Sequence, residues 1–346
     1  MKIILFIIFF LPLISRGQTS TLPADSVLYL QYDTIIGKDT VWVYPYYFDN
    51  IHYQGLYIDS TMPDGQYNGY LNDSVTLLAK FRYQNYRPEG IVYYYRDGKI
   101  RSTYTYKNGE WDGPYTYYND RGELDATGSH VNGKKHGWSY EFWDNGRLKR
   151  LEYSDMGTTT GPYKYYHSNG QIDTEGKYDK AGEDLGYWTG YNVGKWVWYY
   201  ENGQIKEIQH YVDSIGAKEK VRIAEYRAAK HTRPDFPIDT SFTFDKNGNK
   251  VSEFIYKDYM LVKSVKYFAN GKVKEVLNYN NFHQGYCSQN PSYYIKGGQY
   301  LEYYENGNKK TEGNYLNNEK EGEWLSWSDN GQLVKKEKYK NGKLKK

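Results

Sequence analysis

Tyr200-Glu201-Asn202-Gly203-Gln204-Ile205-Lys206 sets an aromatic residue before an Asn-Gly pair and an aliphatic residue two positions after the glycine. Asn-Gly tolerates the positive φ angles of tight hairpin turns, and between apolar residues it is the strongest short-range hairpin signal. Related pairs recur at Asp97-Gly98, Asn145-Gly146, Asn169-Gly170, Asn247-Gly248, Asn270-Gly271, Asn306-Gly307 and Asn330-Gly331. Gly98, Gly122, Gly146 and Gly170 stand 24 residues apart. A fixed period of this size marks an array whose units bury their apolar faces only against their neighbours.

The pattern extends outward from each turn. An aromatic residue precedes the glycine by three positions at Tyr95, Trp143, Tyr200, Phe268 and Tyr304. It precedes by four at Tyr118, Tyr166, Phe244 and Trp327, which predicts a turn longer by one residue. Eight positions after the glycine comes Tyr106, Tyr178, Tyr211, Tyr256, Tyr279, Tyr315 or Tyr339. His130 and Ser154 break that rule, with Tyr153 one position away. A second glycine follows at Gly113, Gly137, Gly161 and Gly322, and Gly194 and Gly298 join the set if the preceding turn carries insertions. Within two residues of it lies another ring: Tyr115, Trp138, Tyr163, Trp196, Tyr300 or Trp324.

Each unit therefore reads as strand, Asn-Gly turn, strand, and a second Gly turn leading onward. Tyr104-Thr105-Tyr106 and Tyr115-Thr116-Tyr117 alternate with the period of two that strands require. Aromatics make up 18% of the 346 residues and Tyr alone supplies 43. Such rings suit a thin sheet, apolar across the ring and wet at its polar tip. The expected fold is all-β: an elongated antiparallel meander of stacked β-hairpin repeats with one short helical interruption.

The chain opens on Lys2, an apolar run from Ile3 to Ile14, and Ser15-Arg16-Gly17, a small-x-small cleavage site. This predicts a secretory signal peptide over 1–17, an exported mature chain starting at Gln18, and no transmembrane segment after it. Loss of Lys2 and Arg16 lowers the net charge of +3 to near +1, which leaves no basic footprint for nucleic acid. The one cysteine, Cys287, excludes an intramolecular disulfide. Residues 18–88 are rich in strand formers but out of phase, as a cap or degenerate repeats would be. Repeat blocks follow at 89–212 and 242–346, the second ending in a lysine-rich tail. Between them, 213–241 breaks the pattern, with a short helix predicted over Val221 to His231 and an extended stretch enforced by Pro234 and Pro237.

Tyr200 to Lys206, Tyr304-Glu305-Asn306-Gly307 and Glu321-Gly322-Glu323-Trp324 resemble the MORN-repeat variant family, bacterial relatives of membrane-occupation-and-recognition-nexus repeats. The resemblance spans about 95–211 and 244–346. It implies a single sheet of hairpins with no catalytic residues to carry over. Many bacterial members bear an antitoxin label, whereas eukaryotic relatives are linked to membrane lipids and to scaffolding. For an exported chain, an antitoxin role implies a toxin met in the envelope, as for an immunity protein.

No catalytic, cofactor or metal site is assigned. Gly128-Ser129-His130-Val131-Asn132-Gly133-Lys134 matches the start of a phosphate-binding loop, but Lys135 replaces the hydroxyl residue and the segment lies in a hairpin. His130 and His136 have zinc-like spacing without a second ligand cluster. The expected role is a non-enzymatic scaffold that binds a protein partner through the sheet face or inserted loops; the alternatives are an envelope glycan or a passive structural role. Insertions in repeat arrays map to loops on one face, often the binding face. The two long ones, Tyr178 to Gly194 and Phe282 to Gly297, are expected to project on the same side. They nominate Tyr187, Trp188, Tyr191 and Tyr286 as exposed partner-binding aromatics.

Overall fold

The structure, a computed structural model, describes residues 32–36, 39–48, 51–57, 64–70, 76–85, 87–180, 190–212, 237–257, 260–282 and 294–345. The signal-peptide segment, the expected helix and residues Tyr187, Trp188, Tyr286 and Cys287 lie outside them. The described residues are all-β, with no α-helix, and form two compact units, 1–137 and 138–346.

The first unit contains β1 (Tyr32–Ile36), β2 (Asp39–Phe48), β3 (Ile51–Tyr57), β4 (Gly65–Tyr70), β5 (Leu77–Gln84), β6 (Arg87–Arg96), β7 (Lys99–Lys107), β8 (Glu110–Tyr118), β9 (Leu124–Val131) and β10 (Lys134–Lys135). From β4 to β10 each strand pairs antiparallel with the next. The start departs from the expected meander, because β1 pairs with β2 on one side and with β4, through Ile35 and Tyr70, on the other. The β2–β3 hairpin is thereby placed outside β1. Ala79, Phe81, Tyr83, Val92, Tyr94, Tyr104 and Tyr115 form this unit's core.

The second unit runs from β11 (Gly137–Phe142) through β12 (Leu148–Asp155), β13 (Thr158–Tyr166), β14 (Ile172–Asp179), β15 (Tyr191–Tyr199) and β16 (Ile205–His210). It continues through β17 (Thr240–Phe244), β18 (Lys250–Lys257), β19 (Met260–Tyr267), β20 (Val273–Phe282) and β21 (Tyr294–Tyr303). It ends with β22 (Lys309–Leu316), β23 (Glu319–Trp327), β24 (Leu333–Lys340) and β25 (Lys343–Leu344). The long insertion between β16 and β17 does not interrupt pairing, since Glu207 faces Thr243 and Ile208 faces Phe242.

Two turn chemistries alternate, and both correct the sequence reading. At the Asn-Gly turns the loop is three residues closed by a β-turn: Trp143 N–H donates to Arg147 O and Gly146 N–H to Trp143 O. A type I turn followed by glycine at positive φ builds this loop. Asn119/Glu123 and Ser328/Gln332 close identically, so an aromatic four positions before the glycine does not mark a longer turn. Asp97-Gly98 is the two-residue exception, both at positive φ, with Arg96 opposite Lys99. The other edge uses two-residue turns at Asn108-Gly109, Asn132-Gly133, Met156-Gly157, Asn317-Asn318 and Asn341-Gly342, again with both residues at positive φ.

The second glycines are therefore not turns. Gly113, Gly161 and Gly322 lie inside strands at φ of 128°, 69° and 73°. Each sits in a bulge: Tyr104 faces Tyr115 but Tyr106 faces Trp111, so one strand spends two more residues than its partner. Across the following strand each glycine faces the position eight after a turn glycine: Gly113 faces His130, Gly161 Tyr178, Gly298 Tyr315 and Gly322 Tyr339.

The Asn of the turn works at both ends. In Asn145, Asn169, Asn202, Asn270 and Asn306 the Oδ1 accepts the N–H two residues on, stiffening its own loop. The Nδ2 of each donates to a carbonyl in the next such turn: Ser168, Glu201, Lys246, Glu305 and Asp329. Trp143 Nε1, Tyr200 Oη and Tyr304 Oη add parallel bonds to Tyr166 O, Phe244 O and Trp327 O. At about 0.5–1.5 kcal/mol net per bond, this ladder couples successive hairpins, including those separated by the insertions after β14, β16 and β20.

Candidate functional site

In the regular repeats, the position one after the bulge glycine is exposed and the position two after it carries a shielded ring. Pro162, Lys195, Gln299 and Glu323 are exposed, whereas Trp196 and Trp324 are buried and Tyr163 and Tyr300 half-buried. Successive side chains of a strand point to opposite faces, so these two positions define the two faces of the sheet. On the ring face Tyr300 packs against Tyr315 and Trp324 at 5.7 and 5.6 Å, and Tyr163 packs against Tyr178 and Trp196 at 5.4 and 5.8 Å. Glycines make room for the indoles. A Cβ on Gly176 would stand 2.1 Å from Trp196, and one on Gly313 would stand 2.2 Å from Trp324.

The repeat of β11 and β12 inverts this order. Its ring, Trp138, follows Gly137 by one residue instead of two, and Tyr153 precedes the usual tyrosine position by one. A one-residue offset in a strand moves a side chain to the other face. Trp138 accordingly stands 40% exposed with Tyr140 beside it on the same face. Trp138 meets Tyr153 edge-to-face, with centroids 5.4 Å apart.

Polar groups occupy the vacated ladder positions. Ser139 Oγ lies 3.5 Å from Glu152 Oε1, and Glu152 itself is buried. Arg150 pairs with Glu141 and, at 3.7 Å, with Glu152. Burial works against the Arg150 charge, but Glu152 and Glu141 outweigh it and raise the guanidinium's affinity for its proton. Ser154 is buried where other repeats hold tyrosine, and its hydroxyl has no hydrogen-bond partner among the described residues. Left without a partner, a buried hydroxyl costs about 1–3 kcal/mol. Folding alone would favour the regular arrangement.

The displaced rings line an open groove of about 470 Å³ within the second unit. Trp138 and Tyr153 form an aromatic wall, with Pro162 and Val193 beside it and Lys177 and Asp179 supplying charge. Lys180 lies on the rim and pairs with Asp155 at 2.8 Å. In the chain, the insertion bearing Tyr187 and Trp188 lies between Lys180 and Gly190. The N–H of Gly190 donates to Thr159 O at 2.8 Å.

Of the aromatics nominated from the sequence, Tyr191 is corrected: it begins β15 with 1% of its surface exposed and belongs to the core. Tyr187, Trp188 and Tyr286 lie outside the described residues. Trp138 and Tyr153 were missed as surface features, although their one-residue offsets are visible in the repeat alignment. The phosphate-loop lookalike occupies β9, a turn and β10, and Gly128 lies under the Tyr115 ring. His130 is buried among Tyr115, Trp111 and Tyr104, and burial, helped by Lys135, lowers its pKa to about 4. Among the described residues no three His, Cys, Asp or Glu side chains cluster as metal ligands. No helix among them is long and apolar enough to cross a membrane.

No curated protein is significantly similar to the chain. The profile of the MORN repeat variant matches residues 88–108, 159–180, 192–213, 262–281, 296–317 and 320–346. The stretch between the first two matches contains the two repeats that bear His130 and the Trp138–Tyr153 pair. Every matched segment contains a turn glycine and the tyrosine eight residues after it, and this recurrence makes the chain a member of the MORN repeat variant family.

Proposed function

We propose that the chain is an exported, non-enzymatic binding scaffold whose ring ladder and asparagine ladder hold the Trp138 groove rigid. MORN repeats serve generally as binding modules, in line with a repeat scaffold. The observation that carries the reading is the inversion. An indole is displayed to solvent while a serine hydroxyl and a Glu–Arg pair take its sheltered place, an arrangement that lowers stability and supplies a recognition surface. Export rests on the Lys2 to Gly17 segment, and the non-enzymatic reading on the lack of a catalytic motif in the sequence. An immunity-like role is the special case in which the bound species is a toxin.

The test is capture. Residues 18–346, wild type and Trp138→Ala, are immobilised and exposed to envelope and secreted fractions of the source organism, and bound protein and saccharide are both analysed. Species retained by wild type and lost by the variant support the reading. Identical retention by the two sinks it.

A further inference from the structure

The size and charge of the Trp138 groove identify the class of ligand. A stable protein–protein interface buries about 800 Å² per partner. A groove of about 470 Å³ is instead within the roughly 300–1,000 Å³ range of small-molecule sites. Its charges cancel: Lys177 and Lys180 are balanced by Asp179 and by the Asp155 that pairs with Lys180. A site for an anionic lipid, a phosphate or an acidic peptide would keep an excess of cations, and this one shows none among its described residues once Asp155 is counted with Lys180. It nonetheless sets ammonium donors and carboxylate acceptors beside an exposed indole that meets Tyr153 edge-to-face.

Resting on the scaffold reading above, we propose that the groove binds a neutral saccharide. A sugar ring presents a face of C–H bonds and a rim of hydroxyls, each hydroxyl both donor and acceptor. The C–H face fits the electron-rich face of the exposed indole, whose quadrupole attracts positive edges. Lys177 donates to the hydroxyl rim and Asp179 accepts from it. Tyr153 positions the indole through its edge-to-face contact, and Pro162 lines the groove beside it. The groove is open, so a residue within a longer polymer can occupy it as readily as a free oligosaccharide. The regular repeats lack this site because Lys195, Gln299 and Glu323 replace the exposed ring.

The experiment uses residues 18–346 and neutral hexasaccharides built from glucose, N-acetylglucosamine, mannose or xylose. Binding is read by saturation-transfer NMR and by calorimetry. Polygalacturonate, a proline-rich peptide and anionic-lipid vesicles serve as comparators. The expected result is saturation transfer to the C–H protons of at least one neutral saccharide. Trp138→Ala should then weaken its affinity by about tenfold or more while the variant remains folded. No transfer to any neutral saccharide, or equal binding by Trp138→Ala, overturns the proposal. Preference for the peptide, the vesicles or the acidic polymer overturns it too, while a capture difference between wild type and Trp138→Ala leaves the scaffold reading in place.

Discussion

The repeat of β21 to β23 and the repeat of β11 and β12 follow one template with opposite outcomes. In the first, Tyr300, Tyr315 and Trp324 interlock on one face, Gly313 lies flat beneath the indole, and Gln299 and Glu323 face water. In the second, Trp138 faces water, and Ser139, Glu152 and Ser154 fill the ladder face. Glu152 stands six after its turn glycine, where Gly176 and Gly313 lie under indoles, and the ring opposite it is Tyr163 rather than a tryptophan. The contrast separates two uses of the same aromatic content: buried rings hold the array together, and a ring displaced by one residue becomes a surface for something else.

The comparison breaks most sharply at the glycine under the ring. Gly313→Ala puts a Cβ 2.2 Å from Trp324 Cδ2, so the indole must leave its seat. A loss of about 3 kcal/mol is expected in chemical denaturation. Retention of wild-type stability would show that the ring does not need its glycine.

His130 gives the next largest effect, and only in acid. Its folded pKa of about 4 lies below the ordinary 6.5, so the unfolded chain takes up the proton first. Stability is complete above about pH 6.5 and declines as pH falls from there toward 4. His130→Tyr, which restores the residue most repeats hold, should flatten that part of the thermal-midpoint profile. A slope unchanged by the substitution assigns the acid sensitivity elsewhere.

Asn306→Asp tests the asparagine ladder. The variant keeps the oxygen that accepts the Asn308 N–H but loses the donor to Asp329 O, a loss of about 1 kcal/mol. Faster amide exchange at Asn308 would locate the defect in the turn itself, whereas faster exchange confined to the turn at Asp329 would locate it between repeats.

The inverted repeat should yield the smallest changes and one of opposite sign. Ser154→Ala removes a buried hydroxyl without a partner and should raise stability by about 0.5–1 kcal/mol. Trp138→Ala should lower the melting midpoint less than Gly313→Ala does, because 40% of the residue is already exposed. A marked fall in either variant would mean that the inverted pair contributes to the core.

Much of this was legible in the residues. The Asx-Gly pairs located every three-residue turn they marked and the Asp97-Gly98 two-residue turn. The tyrosine eight positions on located the ladder, and the bulge glycines were identified although their role as bulges was not. The two-residue turns at Asn108-Gly109 and Asn317-Asn318 are obscured in the sequence by the bulge glycines a few residues later, which have the look of turn residues. Tyr191 borders an insertion and so resembles a loop aromatic in the sequence, yet strand β15 begins at that residue. The offsets at Trp138 and Tyr153 were visible as numbers but not as a change of face.

Sequence alone determined the all-β hairpin array and its period, because hairpins depend on contacts a few residues apart and on which residues accept positive φ. Only the tertiary structure decided which rings are buried and which are displayed. A side chain's face depends on counting residues across a bulge against the partner strand, and one residue more or less there turns a core tryptophan into a surface one.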